Sequence, residues 1–264
     1  MRRLALITGA SSGIGLALAR LYAANGWDVV LTARRQERLD KLCEEIRLRF
    51  GVEAHAVVAD LADPASVDKI LAFVAGLGRT VDGLINNAGY GMQDGFVANP
   101  YDAHQAFLQV LMLAPTQLAH RVLPDMIGQK FGRILNVSSL AAYLPASPNA
   151  TLYAPVKAYL ASFSQSLHLE ARDHGVHVTA LCPGFTYSEF HDVNGSRAKL
   201  SASVPDWMWM GADEVAREGY QACEANRAVC VPGAPNKASA ALLKVLPDDW
   251  WLEIINRQVG RVTR

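Results

Sequence analysis

Tyr153 and Lys157 stand four residues apart in the run YAPVK. On a helix that spacing puts both side chains on one face. A free tyrosine titrates near ~10, too high for easy proton exchange at neutral pH. A neighbouring ammonium favours the phenolate and lowers that pKa. A tyrosine so placed becomes a usable general acid. Pro155 falls between the two. Proline is tolerated in the first turn of a helix and not in its interior, so the pair should open its helix. A Tyr-x-x-x-Lys spacing by itself arises often by chance, so its meaning depends on what surrounds it. Upstream, Ser138 and Ser139 close the apolar run RILNVSS. Either hydroxyl could bond a substrate oxygen, and either could simply finish a strand.

A second group of residues is suited to a phosphate-bearing ligand. TGASSGIG occupies residues 8–15, with Gly9, Ser11, Ser12, Gly13, Ile14 and Gly15 between an apolar run and a helical one. Glycines there let the backbone turn tightly and approach a pyrophosphate, which a helix N-terminus stabilises. The run TARR at 32–35 ends the next apolar segment. An NAD-type site would carry an acid there for the ribose 2′-hydroxyl. Here Ala33 is followed by Arg34 and Arg35. A guanidinium suits a 2′-phosphate through paired, charge-assisted hydrogen bonds. The plainer alternative is a basic first turn on a solvated helix, a placement the helix dipole disfavours. Asp60-Leu61 and NNAG (86–89) follow two further apolar runs. Each read alone is a turn or cap. PGFTYS (183–188) opens with a Pro-Gly turn signal, and Thr186 or Ser188 could hold a ligand amide.

These groups need a frame that brings them to one edge, and the pattern supplies it. Strands are expected at 4–8, 28–32, 54–59, 81–86, 133–138, 176–182 and 228–231. Helical stretches lie between them at 13–25, 35–50, 63–76, 101–128, 153–174 and 212–225. Alternation of this kind predicts an α/β fold, a doubly wound parallel sheet with helices on both faces. Ligands then bind beyond the carboxyl ends of the strands, and every motif above except the Tyr153–Lys157 pair lies just past such an end. A single domain over residues 1–264 is expected. It would carry a substrate-loop segment at 185–210 and a C-terminal helical extension at 235–264, broken at Pro247.

Bulk properties narrow the function. The 264 residues are 51% hydrophobic and 19% charged, with 25 acidic and 25 basic residues. That balance gives no reason to expect a nucleic-acid partner. Four separated cysteines (Cys43, Cys182, Cys223, Cys230) show no metal spacing and fit reduced thiols in the cytoplasm. The arginines before the first apolar run imitate a signal peptide, but that run breaks at Thr8-Gly9 and reads better as a strand. No apolar stretch has the length of a membrane span. The seven histidines show no metal or triad logic; His174 and His177 flank a helix end and should cap or solvate it.

In this order, TGASSGIG, Asp60-Leu61, NNAG, NVSS, YAPVK and PGFTYS resemble the short-chain dehydrogenase/reductase family over about the first 190 residues. The resemblance implies a Rossmann-like sheet of seven parallel strands and an NADP(H)-dependent oxidoreductase acting on a small-molecule carbonyl/alcohol pair. It implies that Gly9, Ser11, Ser12, Gly13, Ile14 and Gly15 form the cofactor turn, with Arg34 as the NADP-selecting residue beside Arg35. Asp60 and Leu61 would lie on the adenine side, and Asn87, Ala88 and Gly89 under the adenosine ribose. Tyr153 matches the proton donor, and Lys157 the residue that holds the nicotinamide ribose and lowers the tyrosine pKa. Pro183, Gly184 and Thr186 match the nicotinamide-side loop. Ser139, 14 residues before Tyr153, is the first choice for the family serine, with Ser138 as the alternative. A homo-oligomer paired through the two long helices is implied as well.

One departure bears on activity. Twelve residues before Leu123-Pro124, where the family carries an asparagine that holds a relay water, this chain has Leu111. Leucine offers that water no partner, which favours a slow or specialised enzyme over a brisk one. A locally distorted helix exposing a backbone carbonyl would reroute the relay. A catalytically weak NADP(H)-binding oligomer is the competing reading. The residues Phe185, Phe190, Trp207, Met208, Trp209 and Met210 would give an apolar substrate wall, or would be core. Trp250 and Trp251 in an amphipathic tail could touch a membrane interface, though packing on the protein's own core is the simpler use.

Overall fold

The structure is a computed structural model that describes residues 1–92, 95–146, 150–189, 204–245 and 247–253. β1 (Leu4–Thr8), β2 (Asp28–Ala33), β3 (Ala54–Val58), β4 (Gly83–Asn86), β5 (Gly132–Val137), β6 (Val176–Leu181) and β9 (Val229–Cys230) form one sheet in the order β3-β2-β1-β4-β5-β6-β9. Every neighbouring pair in it is parallel. The reason is visible in the strands themselves. LALIT and GRILNV are buried at every position, so both faces must be covered. A short second ribbon, β7 (Thr186–Tyr187) with β8 (Met210–Gly211), has no counterpart in the sequence pattern.

Helices cover each face. On one, α1 (Gly13–Ala24), α2 (Gln36–Phe50) and α7 (Ala212–Glu224) bury Leu18, Tyr22, Ile46 and Val215 against the sheet. On the other, α3 (Ser66–Gly76), α4 (Tyr101–Leu108), α5 (Ala114–Gly128) and α6 (Tyr153–Ala171) bury Ile70, Phe107, Leu118, Met126, Val156 and Leu167. α8 (Ala234–Val245) follows β9, and residues 248–253 are helical. No described helix is long and apolar enough to cross a membrane.

The order reverses at β1, whose neighbours are β2 on one side and β4 on the other. Thr8 ties this switch point together. Its hydroxyl accepts from the N–H groups of Asn87 and Ala88, each at 3.0 Å, and donates to the Ile85 carbonyl. Deeper, a chain of buried amides holds α6 on the sheet. Asn86 Nδ2 donates to Asn136 Oδ1 at 2.8 Å, and Asn136 Nδ2 donates to Ser164 Oγ at 2.9 Å. Buried amides of this kind must be satisfied, so the chain fixes the relative height of β4, β5 and α6.

The long helix expected over 101–128 is interrupted. Residues Gln109–Leu113 form one π turn between α4 and α5, in which the Ala114 N–H reaches back to the Gln109 carbonyl. Proline explains the position. Pro115 has no N–H to give to the turn below it, so the ladder around Val110 and Leu111 cannot close in the ordinary α pattern. Thr116 Oγ1 donates to the Met112 carbonyl at 2.6 Å and ties the first turn of α5 to the π turn.

His177 lies on β6 and does not cap the helix that precedes it; its Nδ1 is paired with the Cys223 carbonyl at 2.9 Å, in the last turn of α7. All four cysteines are buried and free. Trp209 and Met210 are buried, Trp209 stacking on Tyr187, while Trp207 is exposed. Phe190, most of the 185–210 segment and the end of the C-terminal extension lie outside the described residues.

Candidate active site

The motifs meet along the carboxyl edge of the sheet. At the glycine-rich turn, Gly9 and Gly13 adopt φ of +66° and +56°, which side chains rarely allow. Gly15 is required for a different reason. A Cβ there would lie 2.3 Å from Asn87 Nδ2 and 2.4 Å from the Gly9 carbonyl oxygen. Asn87 fills that space, its Nδ2 donating to the carbonyls of Thr8 and Gly9. Ile14 packs against the core of the α1 face. Ser12 caps α1 without a side-chain cap bond. Its hydroxyl, like that of Ser11, accepts from Arg35. The first-turn N–H groups of α1 thus receive no side-chain cap.

Arg34 is exposed at the start of the neighbouring helix. Burial raises the pKa of Tyr90, the residue after NNAG, and the charges of Arg34 and Asp60 act on it in opposite senses. Arg34, Asp60 and the Asn87–Gly89 segment therefore surround one half of the edge. Asp60 also has a local task, its Oδ1 accepting from the Ala62 N–H at 3.0 Å, while Leu61 is buried in the core.

The other half holds Tyr153 and Lys157. α6 begins at Tyr153, with Pro155 in its first turn. Ser139 hydrogen-bonds Tyr153, and its Oγ also accepts from the Ala141 N–H at 3.1 Å. Ser138 is turned away and buried: its hydroxyl donates to the Lys157 carbonyl at 2.6 Å. Of the two serines, the geometry therefore brings Ser139 to the tyrosine. Leu140 N–H donates to the Pro183 carbonyl at 2.7 Å, which ties this corner to the PGFTYS turn. Within that turn Thr186 Oγ1 donates to the Gly184 carbonyl. Gly184 must be glycine because a Cβ would lie 2.4 Å from Asn236 Oδ1 of α8.

Lys157 is buried, and its Nζ donates to the Val137 carbonyl at 2.9 Å. The same Nζ sits 5.7 Å from the centre of the Tyr153 ring. The expected lowering of the tyrosine pKa is not what the chain alone produces. Burial pushes the Tyr153 phenol up, and the opposing effect comes from the Ser139 hydrogen bond. The ammonium is engaged by the ring and a backbone carbonyl rather than by the phenol oxygen.

Leu111 comes into this corner from the π turn. A Cβ on Gly89 would lie 3.7 Å from Leu111 Cγ and 3.8 Å from Lys157 Nζ. Leu111 and Lys157 thus both face the backbone of Gly89.

Three further contributors stand outside the candidate residues that the sequence indicates. Thr8 is the hub of the switch point. Asn236 lies far along the chain, and only folding brings it under Gly184. His104 shares a small cavity beside Tyr153 with Met92, Phe96, Phe107 and Leu152. Its Nε2 is paired with the Phe96 carbonyl at 2.8 Å, and its buried Nδ1 has no protein partner. Among the described residues no cluster of ligands suits a metal ion.

Burial lowers the Lys157 pKa from the ordinary 10.5 to about 8. Below about pH 8 both folded and unfolded chains hold the proton, and the folded chain carries the full cost of a buried charge. Between about 8 and about 10.5 only the unfolded chain stays protonated, so stability rises with pH. The shift corresponds to about 3 kcal/mol. Lys157→Met removes the charge. Its stability advantage over the wild type, measured by urea unfolding, should shrink by about that amount from pH 7.5 to about pH 10.5. Parallel stability curves would show that the ammonium is not held in a desolvated place.

The family model for short chain dehydrogenases matches residues 3–198. Serine 3-dehydrogenase of Agrobacterium fabrum is 32% identical over 245 residues, covering 92% of this chain and 92% of that protein. Sulfoacetaldehyde reductase 2 of Chromohalobacter salexigens is 34% identical over 224 residues, covering 82% and 86%. A solved short-chain dehydrogenase from Sphingobium yanoikuyae in complex with NADPH superposes with a TM-score of 0.80 at 29% identity, covering 99% of this chain and 95% of that one. The matched stretch spans the glycine-rich turn, the serine pair, the tyrosine and the lysine, and the chain belongs to the short-chain dehydrogenase/reductase family.

Proposed function

We propose that this chain is an NADP(H)-dependent oxidoreductase that interconverts a carbonyl and an alcohol, with Tyr153 as general acid and base. The observation that carries the reading is the hydrogen-bonded Ser139–Tyr153 pair beside a buried Lys157, set at the same sheet edge as a glycine-rich turn. The turn fits a dinucleotide: its glycines cannot bear side chains, and the α1 N-terminus makes no side-chain cap. Arg34 and Arg35 fit a 2′-phosphate, and the NADPH complex of the solved neighbour supports the same choice.

The nicotinamide, when bound, supplies or accepts the hydride. The chain's own residues handle position and the proton. Tyr153 Oη protonates the carbonyl oxygen in the reducing direction and recovers the proton in the other. Ser139 holds that hydroxyl in place and offers a hydrogen bond to the same oxygen. Lys157, with a pKa brought to about 8, can exchange a proton near neutral pH. The π turn packs on α6, and Pro115 gives no N–H to the backbone of Val110 and Leu111. A carbonyl released there takes the part of the polar side chain that leucine lacks. Met92, Phe96, Phe107 and Leu152 line a cavity beside Tyr153 of about 10 Å³, room for about one water, so they give the tyrosine an apolar neighbourhood rather than a substrate-sized pocket.

NADPH oxidation followed across aldehydes, ketones and acyl thioesters tests the activity. Fluorescence titration tests the cofactor: NADPH should bind more tightly than NADH. Arg34→Asp should weaken NADPH about tenfold or more with little effect on NADH, as expected for losing a charge-assisted bond. Equal affinities in the wild type would remove the arginine argument. For the relay, Leu111→Asn should change turnover by less than about twofold if the backbone already serves. One general acid or base contributes ~10²–10⁴-fold, so a gain near tenfold in Leu111→Asn would instead show the wild-type relay to be impaired.

A further inference from the structure

β7 carries the chain back across the glycine-rich turn. A Cβ on Gly13 would lie 2.9 Å from the Ser188 Cβ, so this strap rests directly on the turn. One residue further, Glu189 reaches the start of α2. Its Oε2 accepts from Arg35 Nη1 at 2.9 Å, and its Oε1 accepts from Arg38 Nη1 at 2.5 Å. The two hydrogen bonds hold its carboxyl below the usual carboxylate range. The rest of the Arg35 fork is also taken. Nε and Nη2 donate to Ser11 Oγ at 3.3 and 3.0 Å, and Nη2 donates to Ser12 Oγ at 3.1 Å.

Beside Arg34, two further guanidinium groups could recognise a phosphate at the start of α2, those of Arg35 and Arg38, and Glu189 now occupies both. A phosphate monoester carries about two charges and three acceptor oxygens, and it seeks paired guanidinium donors. A carboxylate in the same place is a weaker acceptor of the same sign. The two cannot share the site without like-charge repulsion. Glu189 lies three positions beyond Thr186, so its place is set by the strap rather than by a free side chain alone.

We propose that Glu189 is a cofactor-selecting residue whose carboxylate competes with the 2′-phosphate of the incoming dinucleotide for Arg35 and Arg38 and yields to it on binding. The inference rests on the NADP(H) reading above. It assigns Arg38 to the phosphate site, beyond the arginine pair that the sequence indicates. It also predicts a direction opposite to that of a carboxylate that merely aligns the guanidinium groups: removing the charge should help the phosphate, not hinder it. Both ion pairs are partly exposed. Exposed pairs are individually weak, so the gain should be about 3- to 10-fold.

The test compares 2′,5′-ADP with 5′-AMP, which differ only in the 2′-phosphate. Calorimetric titration of the full chain would measure both ligands on the wild type, Glu189→Gln and Glu189→Ala, with thermal unfolding to confirm that each variant is folded. Both variants should bind 2′,5′-ADP about 3- to 10-fold more tightly, with 5′-AMP within about twofold of the wild type. Unchanged or weaker 2′,5′-ADP binding, in variants where the wild type clearly prefers 2′,5′-ADP, would overturn the competition and leave the NADP(H) reading standing. A wild type with no preference between the two ligands would overturn that reading and this inference with it.

Discussion

A buried ammonium sets the terms for this site. Lys157 is enclosed between α6, the end of β5 and the NNAG turn, and it has to be hydrogen-bonded there to be tolerated. The Val137 carbonyl provides that bond because it is the last residue of β5, where the ladder to β6 ends. Ser138, next along the chain, bonds the Lys157 carbonyl and locks the helix to the strand a second time. Ser139 is then left at the rim, one residue further, where it reaches Tyr153. The spacing of the two serines thus separates two tasks: one hydroxyl supports the lysine and the other addresses the tyrosine.

The same strand ends organise the opposite half of the edge. Thr8 and Asn87 join the ends of β1 and β4, the point at which the strand order reverses. The glycines that follow let backbone and an asparagine amide pack at distances a methyl group would forbid. Arginines and the Thr186–Glu189 strap lie around this turn. One half of the edge is therefore shaped for anionic groups and the other for proton transfer.

Much of this is legible in the sequence, for physical reasons. Fully apolar β-branched runs between amphipathic stretches require a parallel sheet covered on both faces, and the positions just beyond those runs must line one edge. Pro155 favours the opening of α6 for Tyr153 and Lys157 by local chemistry, since in the first turn a proline gives up no helix hydrogen bond. Other features depend on contacts distant in sequence. The match of Gly184 to Asn236, and of Glu189 to Arg35 and Arg38, joins segments separated by 52 and by more than 150 positions, and no local pattern encodes them. The π turn lies between these cases. Pro115 is visible in the middle of a helical stretch, and its missing N–H is the cause of the distortion, but periodicity alone makes the stretch one regular helix. The lysine's effect on the tyrosine follows from proximity on a helix face only if the ammonium points at the phenol oxygen. In the folded chain its Nζ is directed to a carbonyl and to the ring.

On this account the Tyr153 hydroxyl, held by Ser139, moves the proton while the rest of the edge holds the cofactor. Tyr153→Phe keeps the ring and deletes only that hydroxyl, so it isolates the claim. Turnover on a verified carbonyl substrate and NADPH affinity should be measured together on the wild type and this variant. NADPH affinity should stay within about twofold of the wild type while turnover falls by about 10²- to 10⁴-fold. Turnover within a few fold of the wild type, in a folded variant with normal NADPH affinity, would contradict a proton-transfer role for Tyr153.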